Sequence, residues 1–76
     1  MTNDTEKDSV LERKEILLLE DDVLLRKRLA ATLEKMGGEV TTVTNLKEAR
    51  TALAEMLFDF LLLDLNLPDG LSLELL

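Results

Sequence analysis

Two short apolar runs in this sequence each end abruptly in acid. Ile16-Leu17-Leu18-Leu19 runs into Glu20-Asp21-Asp22, and Phe60-Leu61-Leu62-Leu63 runs into Asp64. Carboxylates brought together from two run ends repel one another. A pair of unit charges about 4 Å apart costs on the order of 4 kcal/mol at an effective dielectric near 20. Either one carboxylate takes up a proton or a cation neutralises the site. A site built from oxygen ligands alone favours a hard cation, and a few carboxylates with water and a phosphate suit Mg2+. A carboxylate beside such an ion can also be a nucleophile that accepts a phosphoryl group. The competing explanation is plain: an acid after an apolar run is commonly a solvated strand end or a helix cap. Asp22 reads that way, as a cap. Glu20, Asp21 and Asp64 would each be ambiguous alone. Their occurrence at two run ends, with Asn66 and Pro68 following Asp64, favours a site.

The elements that must position these acids alternate along the chain. Ile16–Leu19 is unbroken apolar sequence over a short length, which fits a strand buried on both faces of a parallel sheet. From Asp22 to Met36 the period changes, and Leu25, Leu29, Leu33 and Met36 share one helical face. Asp22 can cap that helix and Gly37-Gly38 can end it. Glu39-Val40-Thr41-Thr42-Val43 is rich in β-branched residues and predicts a second strand. Thr44 or Asn45 caps the next helix, where Asn45 and Glu48 resemble a capping box. Leu46, Ala49, Leu53, Met56 and Leu57 form its apolar face. Phe60–Leu63 is a second buried run. Residues 65–70 read as a loop, because Pro68 and Asp69-Gly70 are turn residues, and Leu71 to Leu76 as the start of a third helix.

Alternating strands and helices imply a parallel sheet with right-handed crossovers. In such sheets ligands bind beyond the carboxyl ends of the strands, where the strand order reverses. With the spatial order second, first, third, the reversal falls between the first and third strands. Glu20, Asp21 and Asp64 would then share one crevice.

Composition narrows the function classes. The chain has 76 residues, with 16 acids against 9 Lys and Arg, and a formal charge of −7. Its basic residues are scattered among acids, which argues against binding nucleic acid phosphates. It contains no Cys and no His, which excludes disulfides, Cys/His zinc sites and catalysis by either side chain. No apolar run approaches the roughly 20 residues of a membrane span, and the first residues lack the pattern of a signal peptide. The expected location is cytoplasmic. Hydrophobic residues make up 46% of the chain, enough for an aliphatic core. Residues 1–14 are polar and highly charged and read as a flexible leader, leaving 15–76 as the folded portion.

At this point the residues resemble a known family. Ile16-Leu17-Leu18-Leu19-Glu20-Asp21-Asp22 followed by Leu25-Arg26 resembles the opening of a bacterial response-regulator receiver domain. Phe58-Asp59-Phe60-Leu61-Leu62-Leu63-Asp64-Leu65-Asn66-Leu67-Pro68-Asp69-Gly70 resembles its phosphoacceptor strand and loop. Each motif is moderately specific; both together, at this separation, are strongly so. The resemblance implies a flavodoxin-like, doubly wound parallel sheet, of which the chain carries three strands, two helices and the start of a third helix. It implies that Asp64 is phosphorylated by a sensor histidine kinase or phosphotransfer protein. It implies Mg2+ held by Glu20, Asp21, Asp64 and the backbone carbonyl of Asn66, with Asp21 favoured as direct ligand and Glu20 acting through water. Pro68 and Gly70 would shape the loop. Such a protein is a phosphoacceptor that at most catalyses its own phosphorylation, working in a two-component phosphorelay with an output domain outside this chain.

The sequence also departs from the family pattern. Ser72 stands where many relatives have a second glycine, and Gly38 where an aromatic is common. A complete receiver has two further strands bearing a Ser/Thr and a Lys that contact the phosphoryl group. No segment here supplies them, and Lys47 in the second helix cannot stand in. The chain is therefore read as the N-terminal portion of a receiver. The alternative reading is a truncated interaction module that is not phosphorylated and associates, with itself or another chain, through an open sheet edge. Two other acid motifs fail. Asn66 stands where haloacid-dehalogenase phosphatases require a second Asp. An EF-hand loop from Asp64 would put Pro68 and Leu75 at ligand positions.

Overall fold

A computed structural model of the chain describes residues 9–64, 66–67, 69–71 and 75. The order is β1 (Glu15–Leu19), α1 (Val23–Lys35), β2 (Glu39–Val43), α2 (Leu46–Glu55), β3 (Phe60–Leu63), β4 (Asn66–Leu67) and β5 (Gly70–Leu71). The first three strands form one parallel sheet in the order β2-β1-β3. The chain steps from β1 outward to β2, then back across β1 to β3. Right-handed crossovers in opposite directions place α1 and α2 on opposite faces. This is the α/β arrangement of the flavodoxin-like receiver fold.

The central strand explains its own sequence. With a partner on each side and a helix over each face, β1 has no exposed direction. Ile16, Leu17, Leu18 and Leu19 are all buried. Alternation along the strand divides them. Leu17 and Leu19 cluster with Val43, Leu46 and Ala49, and Ala52, Leu53, Phe58, Leu63 and Leu75 pack around that cluster. Ile16 points the other way, toward Gly38 and the end of α1; a Cβ at Gly38 would fall 2.7 Å from Ile16 Cδ1.

Both helices start as their caps dictate. The Leu25 N–H donates to Asp22 Oδ1 at 2.8 Å. At α2 the cap is Asn45, whose Oδ1 accepts the Glu48 N–H at 2.8 Å. Glu48 reaches back one residue further than a capping box requires, and its Oε1 accepts from both the N–H and the hydroxyl of Thr44, each at 2.8 Å. At the end of α1 the Gly38 N–H donates to the Leu33 carbonyl and the Gly37 N–H to that of Glu34, each at 3.0 Å. This Schellman closure puts Gly37 at φ +94°, a conformation that disfavours a side chain. Residues 9–13 form turns against the same end, with the Leu11 N–H donating to the Met36 carbonyl and that of Arg13 to the Gly37 carbonyl.

Three local expectations change. The strand at Phe60–Leu63 is present, but it is not buried: Phe60, Leu61 and Leu62 are 50%, 40% and 42% exposed. It is an edge strand, and its outer side pairs with no strand among the described residues. The second helix stops at Glu55, and Met56 is extended at φ −153°, so Met56 and Leu57 do not extend its buried face. Leu57 is 91% exposed, and Phe58 turns in against the core instead. Finally, Leu71 does not open a third helix. Asn66 pairs with Leu71 and Leu67 with Gly70 in a small antiparallel hairpin, where Gly70 takes φ +143°. Residues 72–74 and 76 of the expected helix lie outside the described residues, as do the leader residues 1–8.

Candidate functional site

The register of the parallel sheet decides where the acids end up. Leu19 of β1 lies opposite Leu63 of β3. The next residues along the two strands are Glu20 and Asp64. The ladders continue one bond further on each side of β1. The Glu20 N–H donates to the Val43 carbonyl at 3.1 Å, and the Asp64 N–H to the Leu19 carbonyl at 2.8 Å. Both acids therefore leave the sheet from a fixed backbone, at the reversal of strand order, in the position where open α/β sheets bind ligands.

There the carboxylates converge. Glu20, Asp21 and Asp64 each offer an oxygen, and these oxygens lie within 4.8 Å of one another. Glu20 and Asp64 are half-buried and Asp21 is exposed. The turn that carries the first two acids is braced from several directions. Arg26, in the first turn of α1, donates from Nη1 to the Glu20 carbonyl at 3.0 Å. The Asp22 N–H donates to Glu20 Oε2 at 3.1 Å. Asp22 itself is occupied as the helix cap, which agrees with its reading as structural.

The donor set fits a hard divalent cation. It consists of oxygen atoms only, it is concentrated in a small volume, and one of its three side chains opens to solvent. Few protein oxygens with a solvent-exposed member suit Mg2+, which usually keeps several waters. Asn66 lies in β4, two residues beyond Asp64 along the chain, and its backbone is held by the pair with Leu71. Pro68 and Ser72 lie outside the described residues.

One residue here was read from the sequence only as part of a turn. Asp69 projects from the hairpin to the start of α2, where its Oδ1 accepts the Leu46 N–H at 2.9 Å and its Oδ2 the Lys47 N–H at 3.2 Å. The Leu46 hydrogen bond is the main influence holding the Asp69 carboxyl below its ordinary pKa, with that from Lys47 adding to it. The sequence carried no signal for a contact spanning more than twenty residues.

Residues 16–76 match the family described as the response regulator receiver domain. The chain belongs to this family. Among curated response regulators, the receiver is 38% identical over 65 residues to the response regulator protein PilR of Pseudomonas aeruginosa. It is 46% identical over 63 residues to the transcriptional regulatory protein CrdR of Helicobacter pylori. It is 42% identical over 60 residues to the virulence transcriptional regulatory protein PhoP of Salmonella typhimurium. These matches cover 86%, 83% and 76% of this chain, but only 15%, 30% and 27% of the relatives, so the chain spans less than a third of their length. The family places it in two-component signalling, where receivers generally bind Mg2+ at an acidic site and act with histidine kinases. No helix among the described residues is long and apolar enough to cross a membrane.

Proposed function

We propose that this receiver takes a phosphoryl group onto Asp64 from the phosphohistidine of a sensor kinase or phosphotransfer protein. The observation that carries the reading is the convergence of Glu20, Asp21 and Asp64 at the ends of β1 and β3. In the transfer, an Asp64 carboxylate oxygen forms the new P–O bond while the P–N bond to the donor imidazole breaks, and the imidazole leaves with the electron pair. Asp21 would hold Mg2+ directly and Glu20 through water, with Asp64 and the Asn66 carbonyl as the protein's other ligands. The chemistry the ion would supply there is charge to offset the repulsion between the acids and an incoming phosphoryl group. Arg26 holds the Glu20 backbone in place, and the paired backbone of β3 presents Asp64 without the entropy cost of ordering a loop. An output domain elsewhere in the intact protein reads the phosphorylated state.

The test is mass spectrometry of the intact protein after incubation with acetyl phosphate and Mg2+. Wild type is expected to gain one phosphoryl group and Asp64→Asn none. Equal gain in both would overturn the assignment.

A second reading has its own observation. The outer edge of β3 exposes Phe60, Leu61 and Leu62, which suits a module that associates by strand pairing without phosphorylation. It predicts association that is indifferent to Asp64→Asn, to Mg2+ and to acetyl phosphate.

A further inference from the structure

The hairpin after Asp64 has little of its own to hold it. It consists of two pairs, Asn66 with Leu71 and Leu67 with Gly70, in a sheet separate from the main one. An isolated two-stranded hairpin is marginal in water even when its strands are longer. Yet this segment includes Asn66, whose carbonyl is assigned to the metal site.

One side chain ties it to the second helix. Asp69 lies in the turn between β4 and β5 and accepts the N–H groups of Leu46 and Lys47 at 2.9 and 3.2 Å. These are the first two residues of α2. The third N–H of the helix, from Glu48, goes to the local cap Asn45 at 2.8 Å. The first turn of α2 is thus satisfied by two residues, one adjacent and one from the far side of β3. A carboxylate suits this place because its hydrogen bonds are charge-assisted and the helix dipole favours an anion. Asn45 caps α2 locally through the Glu48 N–H alone, and water could meet the Leu46 and Lys47 N–H groups in place of Asp69. What the second contact adds is a fixed distance between α2, which packs on the core through Leu46 and Ala49, and the turn of the hairpin.

We propose that Asp69 is a positioning residue for the phosphoacceptor pocket: by accepting the Leu46 and Lys47 N–H groups, it fixes to α2 the hairpin that carries Asn66, whose carbonyl would be a metal ligand. The proposal rests on the reading of Asp64 as phosphoacceptor. It makes α2, which contributes no ligand, part of the support of the site. Outer support of this kind commonly changes metal affinity by about 10- to 100-fold.

The experiment measures Mg2+ affinity by calorimetry and thermal unfolding in the intact protein and in three variants. Asp69→Ala is expected to weaken Mg2+ binding by about tenfold. Asp69→Asn, which keeps one acceptor oxygen, is expected to lose less and serves if the alanine variant does not fold. Asn45→Ala removes the local cap; it is expected to lower the unfolding temperature while leaving Mg2+ affinity unchanged. Unchanged Mg2+ affinity in both Asp69 variants would overturn the proposal. So would equal weakening by Asn45→Ala and Asp69→Ala, since the effect would then be one of helix stability. A wild-type protein that neither binds Mg2+ nor takes phosphate from acetyl phosphate would overturn the parent reading instead.

Discussion

Arg26 and Glu48 show how single side chains here join a loop to a helix end. Arg26 leaves the first turn of α1 to meet the Glu20 carbonyl. Glu48 leaves the first turn of α2 to take both donors of Thr44. These bonds favour the ionised form of Glu48, and the Thr44 backbone N–H is the larger cause of its lowered pKa, followed by the Thr44 hydroxyl. The sign of the linkage follows from that direction. A carboxyl with a depressed folded-state pKa adds stability above the ordinary glutamate range, and the contribution is lost as pH falls through the lowered value. Glu48 is exposed, so the effect is local rather than global. The Thr44 amide resonance is therefore expected to shift only once pH drops below the usual glutamate range, about 4.3, and Glu48→Gln should remove the shift. A Thr44 amide that titrates at the ordinary glutamate value would contradict the two hydrogen bonds.

Among the elements, α2 is anchored more firmly than its pattern of leucines alone would suggest, and over a shorter length. Leu46 and Ala49 are fully buried against Leu17, Leu19 and Val43. Leu57 belongs to the same sequence periodicity but lies beyond the helix end, 91% exposed. Truncating a buried leucine removes its transfer energy and leaves a cavity, at a typical cost of about 2–5 kcal/mol. Leu46→Ala is expected to fall in that range by urea denaturation of the intact protein, and Leu57→Ala to change stability by less than about 0.5 kcal/mol. Comparable losses from the two would mean that α2 continues past Glu55. The periodicity could not mark this boundary, because a helical stripe reports the face an element would bury and not where the backbone leaves it. Met56 turns extended so that Phe58 can pack inward and Asp59 can reach the start of β1, where its carboxylate accepts the Glu15 N–H at 2.7 Å.

For the whole molecule, the strand order β2-β1-β3 makes one strand central and two peripheral. The two leucine runs look alike in sequence, yet the first is buried throughout and Phe60, Leu61 and Leu62 of the second are 50%, 40% and 42% exposed. Val23, Leu24 and Leu25 are exposed as well, on α1. An open edge flanked by apolar side chains is a template for pairing with another chain. The 76-residue chain by itself is expected to associate with rising concentration in sedimentation velocity and to unfold in urea with a shallow slope. A monomer at all concentrations with a steep, cooperative transition would contradict this.

Much of the fold was legible because it depends on local patterning. Continuous apolar runs, a helical stripe between caps and a β-branched segment set out strand, helix, strand, helix, strand, with Asp22, Asn45 and Gly37 at the boundaries. The three acids could be named for a related reason: a charge directly after a buried run must sit at a strand end. Local patterning alone could not fix anything set by separation in space; the shared crevice of Glu20, Asp21 and Asp64 followed only on the condition that the strand order is second, first, third. The convergence of Glu20 with Asp64 depends on the parallel register of Leu19 with Leu63, and a one-residue slip would turn each side chain to the other face. The exposure of Phe60, Leu61 and Leu62 depends on which strand is central. The clamp from Asp69 to Leu46 and Lys47 links residues more than twenty positions apart through backbone N–H groups, which every non-proline residue possesses, so no side-chain pattern could announce it. Sequence determined which groups were available for chemistry; the packing of β1 between its neighbours decided which of them meet.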